Sequence, residues 1–152
     1  MTEPTRGYAQ ALEIQATPER LFEAFVDPLQ LECWYATEAS VDRRRGGAFR
    51  ARVKDGWLRD AAIDVYDPGR RLRLIYMADP TLPRLGSGPL IEDILFDTKP
   101  GRTVVRVLGS GVPEAREWDA QYLWLRRAWL YWLNCLKKYV EAQTPAPTTV
   151  AR

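Results

Sequence analysis

The chain contains no histidine. That removes the commonest general base, the Ser-His-Asp arrangement and every histidine-containing metal site. Its two cysteines, Cys33 and Cys135, stand far apart with no C-x-x-C spacing. A disulfide framework and a four-cysteine zinc site are thereby excluded, and two buried thiols in a reducing cytosol are expected. Lysine is scarce: Lys54, Lys99, Lys137 and Lys138 are the whole set, and all read as exposed. Gly86-Ser87-Gly88 and Gly109-Ser110-Gly111 lack the G-x-x-x-x-G-K pattern of a phosphate loop. No run approaches the ~18 apolar residues that suggest a membrane span. The opening Met1-Thr2-Glu3-Pro4-Thr5-Arg6 lacks the apolar core of a signal peptide. The expectation is a cytoplasmic protein with no membrane span, no metal, no cofactor and no assembled catalytic residues.

What is present is a 152-residue chain that is 46% hydrophobic and 28% charged, the mixture of one globular domain. Twenty-two basic residues against 20 acidic ones leave a formal charge of +2. That balance gives no reason to expect a nucleic-acid partner. Arg43-Arg44-Arg45 reads as the solvated end of a strand rather than a phosphate contact.

Leu12, Ile14 and Ala16 alternate with polar residues, which predicts a strand over 8–16. Thr17-Pro18-Glu19 is a helix start: a capping hydroxyl, a proline at the first position and a carboxylate at the positive end of the dipole. Leu21, Phe22, Phe25 and Val26 give that helix one apolar face, and Asp27-Pro28 ends it. A second short helix follows over about 28–33. Strand-like runs then cover 36–44, 48–54, 57–66, 71–78, 90–97 and 102–108, punctuated by Gly46-Gly47, Asp55-Gly56, Asp67-Pro68-Gly69 and Pro100-Gly101. Short links predict antiparallel pairing. The loop from Asp79 to Pro89 is a candidate gate.

The last element reads as one helix over 118–142. Trp118, Tyr122, Leu125, Trp129, Trp132, Leu133, Leu136, Tyr139 and Val140 share a face, which widens to take in Trp124, Ala128, Tyr131 and Cys135. So wide a sector fits a helix partly enclosed by a curved sheet. The fold class is therefore α+β: a strongly curved antiparallel sheet of about seven strands around a long C-terminal helix. Residues 1–7 are expected to be a flexible terminus, 8–142 the domain, and 143–152, with Pro145 and Pro147, a disordered tail.

The order of signatures resembles a known family. Ile14-Gln15-Ala16-Thr17-Pro18-Glu19-Arg20-Leu21-Phe22 is similar to its opening, Asp27-Pro28, Trp34, Val41-Asp42-Arg43 and Gly46-Gly47 continue it, and Trp129, Leu133, Leu136, Lys137 and Tyr139 close it. The chain resembles small bacterial proteins of the START-like (SRPBCC) superfamily, in the branch named after the heat-shock protein 90 ATPase activator. The resemblance implies a helix-grip fold with a deep hydrophobic ligand cavity. Many relatives carry His-Ser-Gly-Phe where this chain has Gly109-Ser110-Gly111-Val112.

Six tryptophans and seven tyrosines are many for this length. The candidate ligand-binding set is Trp118, Tyr122, Leu125, Trp129, Trp132, Leu133 and Leu136 on the helix, with Trp34, Tyr76 and Phe96 facing it. Each taken alone reads more readily as core. The expected partner is a small hydrophobic molecule, bound without catalysis. A homodimer or a chaperone contact is the alternative, through Leu123 and Leu130 on the otherwise polar helix face. A cyclase- or hydrolase-type enzyme acting in the same cavity is the third reading. It needs an inward carboxylate or a Tyr near the ligand, and strand alternation demands that Glu92 or Asp93 point inward. An ion pair with Arg71, Arg73 or Arg106 is the plainer expectation for these acids. Cys33, Cys135, Ser87 and Ser110 lack an activating base.

Overall fold

The computed structural model describes residues 3–77, 79, 82, 83 and 88–143. The chain runs β1 (Thr5–Ile14), α1 (Pro18–Val26), α2 (Pro28–Trp34), β2 (Ala36–Val41), β3 (Ala48–Val53), β4 (Leu58–Asp67), β5 (Arg71–Tyr76), β6 (Leu90–Lys99), β7 (Arg102–Pro113), a 3-10 turn (Arg116–Trp118) and α3 (Asp119–Gln143). The strands form one antiparallel sheet in the order β1-β7-β6-β5-β4-β3-β2. Every neighbour is also a sequence neighbour except β1, which pairs with β7.

Local chemistry sets the helix ends. The Thr17 hydroxyl accepts a hydrogen bond from the Arg20 amide at 3.1 Å, and Pro18 takes the first turn of α1. Asp27 caps α2 through the Leu29 amide at 3.1 Å. The Trp34 indole donates to the Ala24 carbonyl at 3.0 Å and ties the two short helices together. Register shifts at Arg6/Tyr8, Ala36/Glu38 and Ile63/Val65 interrupt the ladders. Such irregularities bend a sheet.

One hydrophobic core lies between the sheet and α1, α2 and α3. Inward residues alternate along each strand: Phe49, Ala51 and Val53 on β3, Leu72, Leu74 and Tyr76 on β5, Ile94 and Phe96 on β6. From α3, Leu125, Trp129, Trp132, Leu133, Leu136 and Val140 are buried against it.

The sequence reading needs correction in three places. β1 begins at Thr5, so part of the expected flexible terminus is sheet: Thr5 and Arg6 pair with Pro113 and Val112, and Arg6 forms a 2.8 Å ion pair with Asp119. The cysteines are not both buried. Cys33 is exposed on α2 and Cys135 is half-buried on α3. The apolar sector of α3 is also narrower than expected, because Tyr131 is 61% exposed. The expected tail from residue 144 onward lies outside the described residues, as do residue 78 of the expected 71–78 strand and residues 80, 81 and 84–87 of the candidate gate loop. Among the described residues, no helix is long and apolar enough to cross a membrane.

Candidate functional site: a buried charge network beside an open pocket

β6 alternation puts Glu92 inside and Asp93 outside. Asp93 forms the surface ion pair expected of it, accepting two hydrogen bonds from Arg71 at 2.7 and 2.8 Å. Glu92 does something else. It is 2% exposed and meets Arg59 of β4, 3% exposed, in a two-pronged pair at 2.6 and 3.1 Å. Arg59 points inward because it shares strand parity with buried Ala61 and Ile63.

The remaining lone pairs of Glu92 are taken by neighbours. Tyr76 donates to Oε1 at 2.7 Å. The Trp129 indole at 2.7 Å and the Tyr8 hydroxyl at 3.2 Å donate to Oε2. Arg59 also donates to the Tyr35 hydroxyl at 2.8 Å. Its guanidinium lies over the Tyr76 ring at 4.6 Å and the Trp132 ring at 5.3 Å. Trp129 is stacked between Phe25 and Tyr35 at centroid distances of 6.4 and 5.9 Å, so its donor is aimed by packing.

One glycine makes this geometry possible. Gly109 stands opposite Glu92 on one side and Tyr8 on the other. A Cβ there would lie 2.1 Å from the Tyr8 ring. With no side chain in the way, Tyr8 lies across β7 and reaches a carboxylate two strands away.

The electrostatics follow from burial. The Tyr8 and Tyr76 hydroxyls are held well above the ordinary phenol range, first by burial and then by the Glu92 carboxylate beside them, with Arg59 opposing. Burial pushes Tyr35 up to about 12, Arg59 opposing and Glu92 adding to the rise. Burial works against the Arg59 charge, and Glu92 with the tyrosines overcomes it, so Arg59 lies well above its usual range. A carboxylate offers about four lone-pair directions. Five donors saturate Glu92 and leave it nothing for a substrate proton.

Beside the network is a pocket of about 490 Å³. Trp57, Arg59, Ala61, Tyr76, Leu90 and Trp118 contribute to its wall, and Gly47, Ala48 and Ala62 supply room by being small. Asp79, Leu82 and Pro83, from the candidate gate loop, line it too. A second recess of about 610 Å³ lies between the β3–β4 turn and α3, with Leu123, Trp124, Tyr131 and Trp132 in its wall. A smaller third one, about 330 Å³, shares Trp57 and Leu82 with the first and Trp124 with the second.

The ten candidate ligand residues are distributed unevenly. Tyr76 and Trp118 line the first pocket and Trp132 the second. Trp34, Phe96, Leu125, Trp129, Leu133 and Leu136 lie in the core and line none of these three recesses. Tyr122 is half-buried and donates to the Gly7 carbonyl at 2.8 Å. The sequence reading missed Arg59, Tyr35 and Tyr8. Arg59 had a signal, its shared parity with Ala61 and Ile63. Arg43 and Arg44 are engaged at the surface, Arg43 with Glu23 and Arg44 with Asp42. Among the described residues, no group of three or more His, Cys, Asp or Glu could hold a metal ion.

Removing one member of a buried ion pair strands the other's charge, which costs about 3–5 kcal/mol, whereas an apolar replacement of both is often neutral. Arg59→Met and Glu92→Leu are each expected to destabilise by that amount in urea unfolding. The double variant is expected to lie well short of the sum. Alkaline titration tests the tyrosines. A phenol raised in the folded state keeps its full contribution below the unfolded value near pH ~10 and loses it as pH rises through the folded value. Stability should therefore fall between pH ~10 and the Tyr35 value of about 12. Ultraviolet titration should show Tyr8, Tyr35 and Tyr76 ionising only above the ordinary range.

Comparison with known proteins agrees with this architecture. A family model described as Activator of Hsp90 ATPase homolog 1-like protein matches residues 15–141. The crystal structure of protein MLL2253 from Mesorhizobium loti superposes with a TM-score of 0.78 at 17% identity, covering 92% of this chain and 100% of that one. The solution structure of the Aha1 dimer from Colwellia psychrerythraea gives 0.77 at 19%, covering 92% and 99%. The crystal structure of DynU16, a protein of the dynemicin biosynthetic locus, gives 0.73 at 22%, covering 93% of this chain and 49% of that one. No curated protein sequence matches the chain. At these identities the likeness concerns the fold, a START-like helix grip. The family match spans most of the chain, and the protein belongs to the Activator of Hsp90 ATPase homolog 1-like family.

Proposed function

We propose that this cytoplasmic domain binds a small, largely apolar molecule in the pocket beside Arg59 and Tyr76, without transforming it. One observation carries the reading: a recess of about 490 Å³, in the usual size range of ligand sites, built against a rigid buried polar network. Its wall is mostly apolar and aromatic, which suits burial at about 25 cal/mol per Å². Saturation of Glu92 by five donors speaks against an enzyme that uses this carboxylate as its base. Among the described residues of the candidate gate loop, Asp79, Leu82 and Pro83 line the pocket.

The test is titration with a neutral fluorescent probe such as phenylnaphthylamine. It is expected to bind one to one. Ala61→Trp, which fills the wall from β4, should weaken binding at least ten-fold. Ala128→Trp, which fills the second recess, should leave it within two-fold. Equal effects of both variants, or no binding to the parent protein, would count against the pocket.

A homodimer is a second reading, favoured by the exposure of Leu123, Leu130 and Tyr131 along one side of α3 and by the dimer reported for the Colwellia protein. A chaperone contact through the same residues is the remaining alternative. Sedimentation equilibrium should show a dimer that Leu130→Arg converts to monomer. A monomer at all concentrations would eliminate the dimer.

A further inference from the structure

Two residues of the pocket wall, Trp57 and Arg59, each carry a buried polar atom that the fold leaves unsatisfied, as does Arg73 outside the wall. Among the described residues, the indole nitrogen of Trp57 and the Nε of Arg59 are buried and have no hydrogen-bond partner. Native proteins rarely tolerate this without a reason, since an unmade buried hydrogen bond is expensive. The two residues are neighbours, with the Arg59 guanidinium 5.7 Å from the Trp57 ring.

They differ in freedom. Arg59 is locked by Glu92 and Tyr35. Trp57 is half-buried, follows the Asp55-Gly56 turn and leans on Trp124 at 4.6 Å. Trp57 lines both the first pocket and the third. The nitrogen is sealed from water as the ring lies, so the indole must turn before a ligand can meet it.

Charge narrows the ligand further. Among the described residues of the wall, Arg59 is the only base, and its charge is matched by Glu92. Asp60 and Asp79 also line the pocket. Asp60 is paired with Arg50 at 3.4 Å, and Asp79 also has a partner. Among the described residues of the wall, an anion would therefore find no uncommitted cation to offset its desolvation, a cost that a neutral acceptor does not carry.

Resting on the pocket reading above, we infer that the ligand is a neutral, flat, apolar molecule carrying a carbonyl-type oxygen, and that Trp57 is the donor that selects it. The rings of Trp57, Tyr76 and Trp118 supply the flat contacts. Trp57 Nε1–H supplies the polar one.

The probes are acetylnaphthalene, ethylnaphthalene and naphthoate, which share a ring system and differ in the polar group. Calorimetry measures affinity, and the indole N–H signals of isotopically labelled protein report on Trp57, whose signal is assigned by its loss in Trp57→Phe. The ketone is expected to bind about three- to ten-fold more tightly than the hydrocarbon, a factor that one hydrogen bond supplies. Naphthoate should bind most weakly. The Trp57 signal should move downfield with the ketone and not with the hydrocarbon. Trp57→Phe should bring the ratio of ketone to hydrocarbon affinity down to about one, whatever contact both probes lose with the smaller ring.

Equal ketone and hydrocarbon affinities with no selective shift of the Trp57 signal would overturn the donor role while leaving the pocket as a site. Tightest binding by naphthoate would overturn the neutral class. Failure of all three probes, at concentrations where the signal of a control protein saturates, would overturn the pocket reading and this inference together.

Discussion

A salt bridge without water organises this molecule. Arg59 and Glu92 come from strands that are not neighbours, and each would be intolerable in the core without the other. Once they pair, the surrounding side chains have defined places. Tyr76 must stand where its hydroxyl reaches Oε1, and Trp129 must present its indole edge rather than its face. Tyr8 must cross Gly109. The pair thus links β1, β4, β5, β6 and α3 through directional contacts, in a core whose other contacts are mostly non-directional.

This arrangement also separates what is firm from what can give. The part of the sheet facing Trp129 and Leu133 is filled and hydrogen-bonded. The open space lies at the side of the network, around Trp57, Tyr76 and Trp118, where α3 has not yet begun. The recess is backed by a hydrogen-bonded polar cluster and edged by the half-buried Trp57 indole, the setting we propose for a ligand. Specific small-molecule sites have this composition.

The elements were legible because their periods differ. Two-residue alternation marks β3, β5 and β6, and the 3.6-residue recurrence of Leu125, Trp129, Trp132, Leu133 and Leu136 marks α3. The helix cap at Thr17 was local chemistry and could be read directly, whereas Asp27 was read only as the end of the first helix although it also caps the second. The polar network was harder. Glu92 could be assigned an inward orientation, but its partner lies 33 residues earlier, and nothing local distinguishes Arg59 from the surface arginines Arg50 and Arg52 except strand parity. Tyr35 sits at a helix-to-strand junction, where neither period applies. Tyr8 depends on a missing side chain on another strand. The aromatic richness of α3 pointed to a greasy wall, yet most of those rings close the core, and the turn-borne Trp57 joins the pocket instead.

The pairing of β1 with β7 has a consequence for how the polypeptide emerges from the ribosome. Thr5 faces Pro113, so the first strand has no permanent neighbour until more than a hundred residues have been made. The β2-to-β5 meander can zip progressively through short hairpins, and β6 joins it across the longer 77–89 link. The amino-terminal ribbon waits, and so does the third donor to Glu92 Oε2. Closure of the sheet then waits for translation of β7, which licenses docking of β1, and it is also the sheet's longest loop.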